Sequence, residues 1–257
     1  MSLKVPSDWW KTMFDEVYLI TDARSVADDE LTRKEVDLFR RLIPMKPSEA
    51  ILDLCGGHGR HSLELCRRGF THCTVFDYSQ ELLNIGARAA WRENLAVEFV
   101  QGDARHIPHA AGSYNHVLVL GNSLGYATEA EADCQILGEA RRLLQPGGWL
   151  LIDVTDGSAT RRNFSPMAWH EIGDDVVVCR QRELDRDVIR AREMVLDKRS
   201  GLVRDKNYRV RLYSAEQLEE LMSRAGFQGM RRHEDFAPYQ GDGDLGFMNH
   251  RMVITAQ

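Results

Sequence analysis

Residues 51–61 read ILDLCGGHGRH: an apolar run reaches an acidic residue, Asp53, and then meets Gly56, Gly57 and Gly59 within four positions. Glycine permits positive φ and lets a ligand approach the backbone without meeting a Cβ. A helix that begins just beyond presents its unpaired N–H groups to that ligand. Asp77 stands twenty residues past Gly57, at the end of TVFDYSQ. A carboxylate at that spacing suits the vicinal hydroxyls of a ribose. In FVQGDARHIP, Asp103 is placed to accept from an adenine amino group and the Ala104 N–H to donate to a ring nitrogen. LVLGNSLGYA adds a polar pair, Asn122 and Ser123, between glycines. Each feature has a bland alternative: a tight strand-to-helix connection for the glycines, and a helix-capping acid for Asp77 beside Ser79. Taken together they predict a nucleoside-bearing cofactor.

These residues need a frame that brings them together. From about residue 50 to 155 the short apolar runs AILDLC, THCTVFD, VEFVQGD, HVLVLGN and WLLIDVT alternate with segments of helical period, such as Ile136, Leu137, Ala140, Leu143 and Leu144. Strand then helix, repeated, predicts a parallel, doubly wound sheet with helices on both faces. Ligands of such sheets bind beyond the carboxyl ends of the strands, where all the residues above fall. Nicotinamide dinucleotides and S-adenosylmethionine both fit the first two strand ends. The set at strands three to five suits the second.

In order and spacing, ILDLCGGHG, FDYSQ, QGDA, YNHVLVLGN and LLQPGGWLLID resemble the successive motifs of class I S-adenosylmethionine-dependent methyltransferases. LGNSLGYA, LLIDV and YRVRLYSAEQLEELMSRAGF followed by DFAPY are similar to the glycine N-methyltransferase branch, over residues 14–240. The resemblance implies an α/β fold: a Rossmann-like, doubly wound, seven-stranded mixed sheet with an inserted antiparallel β lid and N-terminal helices. It implies that Asp53, Gly56, Gly57 and the Cys55 backbone border the methionine moiety, Asp77 the ribose, Tyr78 the adenine face, and Asp103 and Ala104 the adenine edge. Leu120 or Gly121 would meet the cofactor ammonium through a carbonyl. Asn122 would face the acceptor, with Tyr126 beside it as a second catalytic candidate. FDEVYLITDAR is similar to a stretch that closes over the cofactor, which makes Tyr18 and Arg24 candidates for its edge and its carboxylate. Two positions depart from the pattern. Cys55 replaces a glycine, which predicts that its φ stays negative. Thr155 stands where the glycine enzymes carry a substrate-gripping arginine, which argues against glycine as the acceptor.

The predicted layout is an N-terminal helical segment (1–45), a cofactor-binding core (46–164), an inserted antiparallel sheet (165–212) and a C-terminal helix with a closing strand pair (213–257). DDVVVCRQREL, DVIRAREMVLD and LVRDKNYRVRLYS form the insertion, with GDD and KRSG as turns. Positions 180–211 hold eleven Lys or Arg against six Asp or Glu, which reads first as a solvated, ion-paired face and second as a site for an anionic substrate or a subunit. Ser214 and Gln217 predict a capped helix with Leu218, Leu221, Met222 and Ala225 inward and Gly226 as its stop.

A chain of 257 residues with 43% apolar content can bury a substantial core, and its net charge of −6 argues against a nucleic-acid substrate. No run is long enough to span a membrane, so a cytoplasmic enzyme is expected. Five cysteines without a CxxC pair predict reduced thiols and no structural zinc, and no compact histidine and carboxylate cluster predicts a metal. The expected reaction is methyl transfer to a small molecule, at an amine nitrogen; oxygen methylation of a phenol or sugar and a non-catalytic cofactor-binding protein are the alternatives. His106, Asp153, His170, Asp235 and Tyr239 complete the polar candidates near the site. An exposed edge of the inserted sheet is compatible with a homodimer.

Overall fold

The computed structural model describes residues 2–22, 28–233 and 250–257. Parallel strands β1 (Ile51–Leu54), β2 (Cys73–Asp77), β3 (Val97–Gln101), β4 (Tyr114–Val119) and β5 (Leu144–Thr155) share a sheet with β10 (Arg231–His233) and β11 (Arg251–Ala256); β11 alone is reversed, antiparallel to both β5 and β10. The order across this seven-stranded sheet is β10-β11-β5-β4-β1-β2-β3. β1 lies at its centre and is buried along its whole length. Its Leu52 and Leu54 pack on one face with Leu137 and Leu143 of α6 (Ala130–Leu143) and Leu218 of α8 (Ala215–Arg224). Its Ile51 packs on the other with Val36 and Phe39 of α3 (Asp29–Leu42) and Leu65 of α4 (Arg60–Arg67). Burial on both faces is why these strands read as unbroken apolar runs.

Local signals set the element ends. The Ser79 side chain accepts from Leu82 N at the start of α5 (Gln80–Glu93), and Ser214 with Gln217 forms a reciprocal capping box on α8. The four strands β6 (Met167–Ile172), β7 (Val176–Asp185), β8 (Val188–Asp197) and β9 (Gly201–Arg211) make a separate antiparallel sheet in sequential order. This lid packs on the N-terminal segment. Trp9 and Met13, at either end of the short α1 (Trp10–Met13), meet Ala191, Tyr208 and Val210 of the lid.

The structure corrects four expectations. Cys55 has φ +59, in the left-handed region. Its N–H donates to Phe76 O at 2.7 Å and Gly56 N to the same oxygen at 3.3 Å, so the loop is drawn against β2 at a conformational cost of about 1–2 kcal/mol. Residues 145–148, which lie outside the expected strand run WLLIDVT, belong to β5: Leu144 pairs with Tyr114, and the register then slips before His116 meets Trp149. The lid contains a strand, β6, that none of the three named runs covers; its partly exposed alternation gives little hydrophobic signal. The fourth concerns charge. Arg180, Glu193 and Arg204 are 5%, 1% and 4% exposed and face inward, so the basic stretch is not simply a solvated face.

One glycine of α5 decides how closely that helix approaches the loop of residues 55–59. A Cβ on Gly86 would sit 2.3 Å from His58 O and 2.5 Å from the Phe99 ring, whereas one on Gly138 of α6 would meet nothing within 4 Å. Gly86→Ala is therefore expected to cost about 1–3 kcal/mol through overpacking. Gly138→Ala should gain about 0.5–1 kcal/mol. Urea unfolding midpoints of the two variants check this pair of opposite signs.

Candidate active site

β1 delivers Asp53 to the sheet's carboxyl edge, and residues 55–59 turn from it into α4. Asp77, at the end of β2, braces this loop: its Oδ2 accepts from Gly57 N at 2.8 Å and its Oδ1 from Ser79 N at 2.8 Å. Burial raises the Asp77 carboxyl above its ordinary value, while these backbone donors oppose the rise. Gly56 is obligatory here, because a Cβ would lie 2.7 Å from Asp53 Cγ.

Two cavities, of about 130 and 150 Å³, flank the loop. The smaller is lined by Asp77, Tyr78, Asp103 and Ala104, so the carboxylates at the ends of β2 and β3 share one space. Trp10 closes its rim, edge-on to Tyr78 at 4.8 Å and with the Arg105 guanidinium 5.5 Å from its ring. Arg105 also pairs with Asp103 and, with help from backbone bonding, holds that carboxyl below its ordinary value. The larger cavity takes Asp53, Gly56, Leu120 and Asn122 from the sheet edge, and Trp9, Tyr208 and Val210 from the N-terminal segment and lid. Tyr18, Cys55, Gly57, Gly121 and Tyr126 line both, so one continuous groove passes beside Gly57. All thirteen of the cofactor and catalytic positions from Tyr18 to Tyr126 that the structure describes line this groove. Arg24, Asp235 and Tyr239 lie outside the described residues. His106, Asp153 and His170 line neither cavity.

At the end of β4, Gly121 and Asn122 both take φ +66, which turns the chain sharply out of the sheet. Asn122 Oδ1 accepts from Thr155 N at 3.0 Å, so the side-chain carbonyl is occupied by the scaffold and the amide Nδ2 is the end left for a ligand. Thr155 itself is buried and lines neither cavity. Burial pushes the phenols of Tyr18 and Tyr126 far above their ordinary values, so both remain protonated donors. Among the described residues no group of three or more His, Cys, Asp or Glu could hold a metal ion.

Sequence reasoning missed three features of the groove. The first is the aromatic wall: Trp9 meets Tyr126 at 5.2 Å and Tyr208 at 5.7 Å, and Phe14 stacks on Tyr126 at 5.4 Å. The adjacent tryptophans in SDWWKTMF were its only signal. The second is an ion-paired latch: Arg180 of β7 bonds to Glu193 of β8 at 2.8 Å and to Asp22, just beyond α2 (Glu16–Thr21), at 3.3 Å. The third is a buried network on Glu35 of α3, which accepts from Arg60, His61 and Arg251; Arg251 also pairs with Asp153. Its members lie far apart in the sequence and carry no shared pattern.

Residues 51–148 match the methyltransferase domain family. Over 239 residues the chain is 26% identical to YqeM of Bacillus subtilis, named as a methyltransferase, covering 91% of this chain and 94% of that protein. Its matches to ubiquinone/menaquinone C-methyltransferases span about two fifths of those proteins. Among solved structures, an S-adenosylmethionine-dependent methyltransferase from Clostridium acetobutylicum superposes with a TM-score of 0.76 at 13% identity, covering 94% of this chain and 96% of that one. A sugar N-methyltransferase from Streptoalloteichus sp. superposes with a TM-score of 0.68 at 20% identity, covering 99% and 98%. The fold of this chain, inserted sheet included, is therefore like that of these two solved methyltransferases.

Asp53 is buried at a cost. Its Oδ2 accepts from Ser62 Oγ at 3.0 Å, its Oδ1 is buried without a partner, and burial pushes its carboxyl up to about 6. Unfolded, it ionises near its ordinary value of about 4. Between the two values the folded protein holds the extra proton. Stability therefore falls as pH rises through that window, and a cost of order 1–3 kcal/mol is present at pH 7. Asp53→Asn should raise the melting temperature of the ligand-free protein at pH 7.5, with the gain vanishing below about pH 4; calorimetric scans across this range check the sign.

Proposed function

We propose that this chain is an S-adenosylmethionine-dependent methyltransferase that acts on a small molecule at an amine nitrogen. The carrying observation is the shared cavity of Asp77 and Asp103, which opens past Gly57 and Gly121 into a second chamber walled by Trp9, Tyr126 and Tyr208. The residues present fit the cofactor. Asp77 offers lone pairs to a ribose, Ala104 N and Asp103 suit an adenine edge, Tyr78 and Trp10, edge-on to each other, form an aromatic rim, and Asp53 adds a carboxylate to the lining of the larger cavity. When bound, the cofactor supplies an electrophilic methyl group on a sulfonium.

The chain's own contribution is placement and exclusion of water. Holding two reactants in line can contribute up to about 7–11 kcal/mol in favourable cases. An alcohol or phenol acceptor would also need a base, and the groove's two shared phenols, Tyr18 and Tyr126, are held protonated by burial. A neutral amine needs none. Its alkylammonium product suits aromatic faces such as those of Trp9 and Tyr126. The Asn122 amide and the Tyr126 hydroxyl are the donors at the chamber wall that we assign to orienting the acceptor. The superposed Streptoalloteichus protein is a sugar N-methyltransferase, which agrees with this class of acceptor. The glycine enzymes' arginine has no counterpart at buried Thr155, so glycine is not the acceptor we assign.

Calorimetric titration with S-adenosylhomocysteine is expected to show micromolar binding, and Asp77→Ala should weaken it about tenfold or more through loss of a charge-assisted acceptor. Absence of binding at millimolar ligand would defeat the reading. Product mass spectrometry on an amine and phenol panel then separates nitrogen from oxygen transfer.

A further inference from the structure

The lid carries a like-charge contact that the fold does not neutralise. Tyr208 and Val210 of β9 line the larger cavity, and Ala191 of β8 packs beside them. Side chains alternate along a strand, so Arg190, Arg209 and Arg211 stand on the opposite face, away from the groove. Arg190 and Arg209 are direct cross-strand partners, and Arg211 lies two residues further along the same face. Such partners have Cβ atoms about 4.5–5.5 Å apart, where like charges repel.

Two of the three arginines meet an acid. Arg190 pairs with Asp185 at 3.2 Å, and Arg211 reaches Asp133 at 3.4 Å and Thr128 O at 2.9 Å. Asp133 is itself shared with the Tyr213 hydroxyl and Gly125 N. Arg209 meets none: among the described residues its guanidinium makes no hydrogen bond or ion pair. Its Nε is sealed inside protein, whereas its Nη groups, which also bond nothing, keep accessible surface. Glu183, the residue of β7 opposite Arg190, is occupied by Leu3 N at 2.9 Å. Burial, and then Arg211 and Arg190, lower the Arg209 guanidinium below its ordinary value, and Glu129 and Asp133 oppose this only in part.

We propose that Arg209, flanked by Arg190 and Arg211, forms a binding site for a phosphate group, as the free ion or on a small phosphomonoester, on the face of the lid opposite the groove. Guanidinium groups take phosphate oxygens in paired hydrogen bonds. A phosphate carries close to two negative charges above pH 7, which suits a cluster whose central cation is uncompensated and whose neighbours share their acids. The sheet separates this site from the groove, so it is not an acceptor subsite. It does touch the acceptor side through the backbone: Arg211 N donates to Gly125 O at 2.7 Å, and an occupant would stiffen the segment that carries Tyr126.

The test is the melting temperature of the full chain at pH 7.5, with sodium phosphate replacing sodium chloride at constant ionic strength. Phosphate stabilises most proteins by exclusion, so the comparison between chains decides. Unmodified protein is expected to gain roughly 3–6 °C by about 50 mM phosphate. Arg209→Gln, which removes the repelling charge, should melt at or above wild type in chloride and lose most of the phosphate gain. Arg190→Gln should lose part of it. Arg199→Gln, on the exposed turn between β8 and β9, should keep it. Equal gains in wild type and Arg209→Gln, or no gain in wild type, would overturn the site. An Arg209→Gln protein that melts well below wild type in chloride would overturn it too, because the cation would then already be compensated. Glycerol 3-phosphate separates the two sources: an Arg209-dependent gain from it extends the site to phosphomonoesters, and none confines the site to the free ion.

Discussion

Glu35 ties α3, α4 and β11 together. One carboxylate without exposed surface receives two guanidinium groups and an imidazole, and those partners come from α4 and β11, with Asp153 of β5 one step further. Burial alone would raise the Glu35 carboxyl, but Arg60, Arg251 and His61 together hold it well below its usual range. The same burial keeps the His61 imidazole neutral near pH 7, with its value lowered to about 4. Removing one member of such a cluster leaves an uncompensated charge in protein, typically at a cost of about 3–5 kcal/mol. Together with the packing of Val36 and Phe39, this anchor fixes α3 against the sheet and the Arg60 guanidinium beside the loop after β1.

The loop itself is the second constraint. Asp77 spends one lone pair on Gly57 and another on Ser79, so the carboxylate that faces the smaller cavity also fixes the turn that borders it. Cys55, Gly57 and Gly59 all take left-handed conformations, and Gly86 of α5 lets the helix lie against His58 O. Local strain at Cys55 is sustained because neighbouring elements over-determine the loop's path.

The strand ends were legible in the sequence because one topological rule covers them all: in a doubly wound sheet, Asp53, Asp77, Asp103 and Asn122 must emerge on the same edge. Conformation at a single residue was not, since nothing in the letters around Cys55 reports its φ of +59. The lid's chemistry was hidden for another reason. In a two-residue repeat the phase decides which side chains face inward, and a one-residue shift would send Arg180 and Glu193 to solvent. Composition therefore suggested a solvated face where the fold buries a latch. The Trp9 wall was hidden because its partners, Tyr126 and Tyr208, lie more than a hundred residues away.

The groove is assembled from two sources that change under different pressures. The smaller cavity is built mostly from sheet-edge residues that also brace the backbone, so few of them can be exchanged without loosening the fold. The larger one draws Trp9, Tyr208 and Val210 from the N-terminal segment and the lid, which share a small apolar cluster of their own outside the central sheet. A lineage can therefore re-carve that wall residue by residue while inheriting the sheet-edge half unchanged.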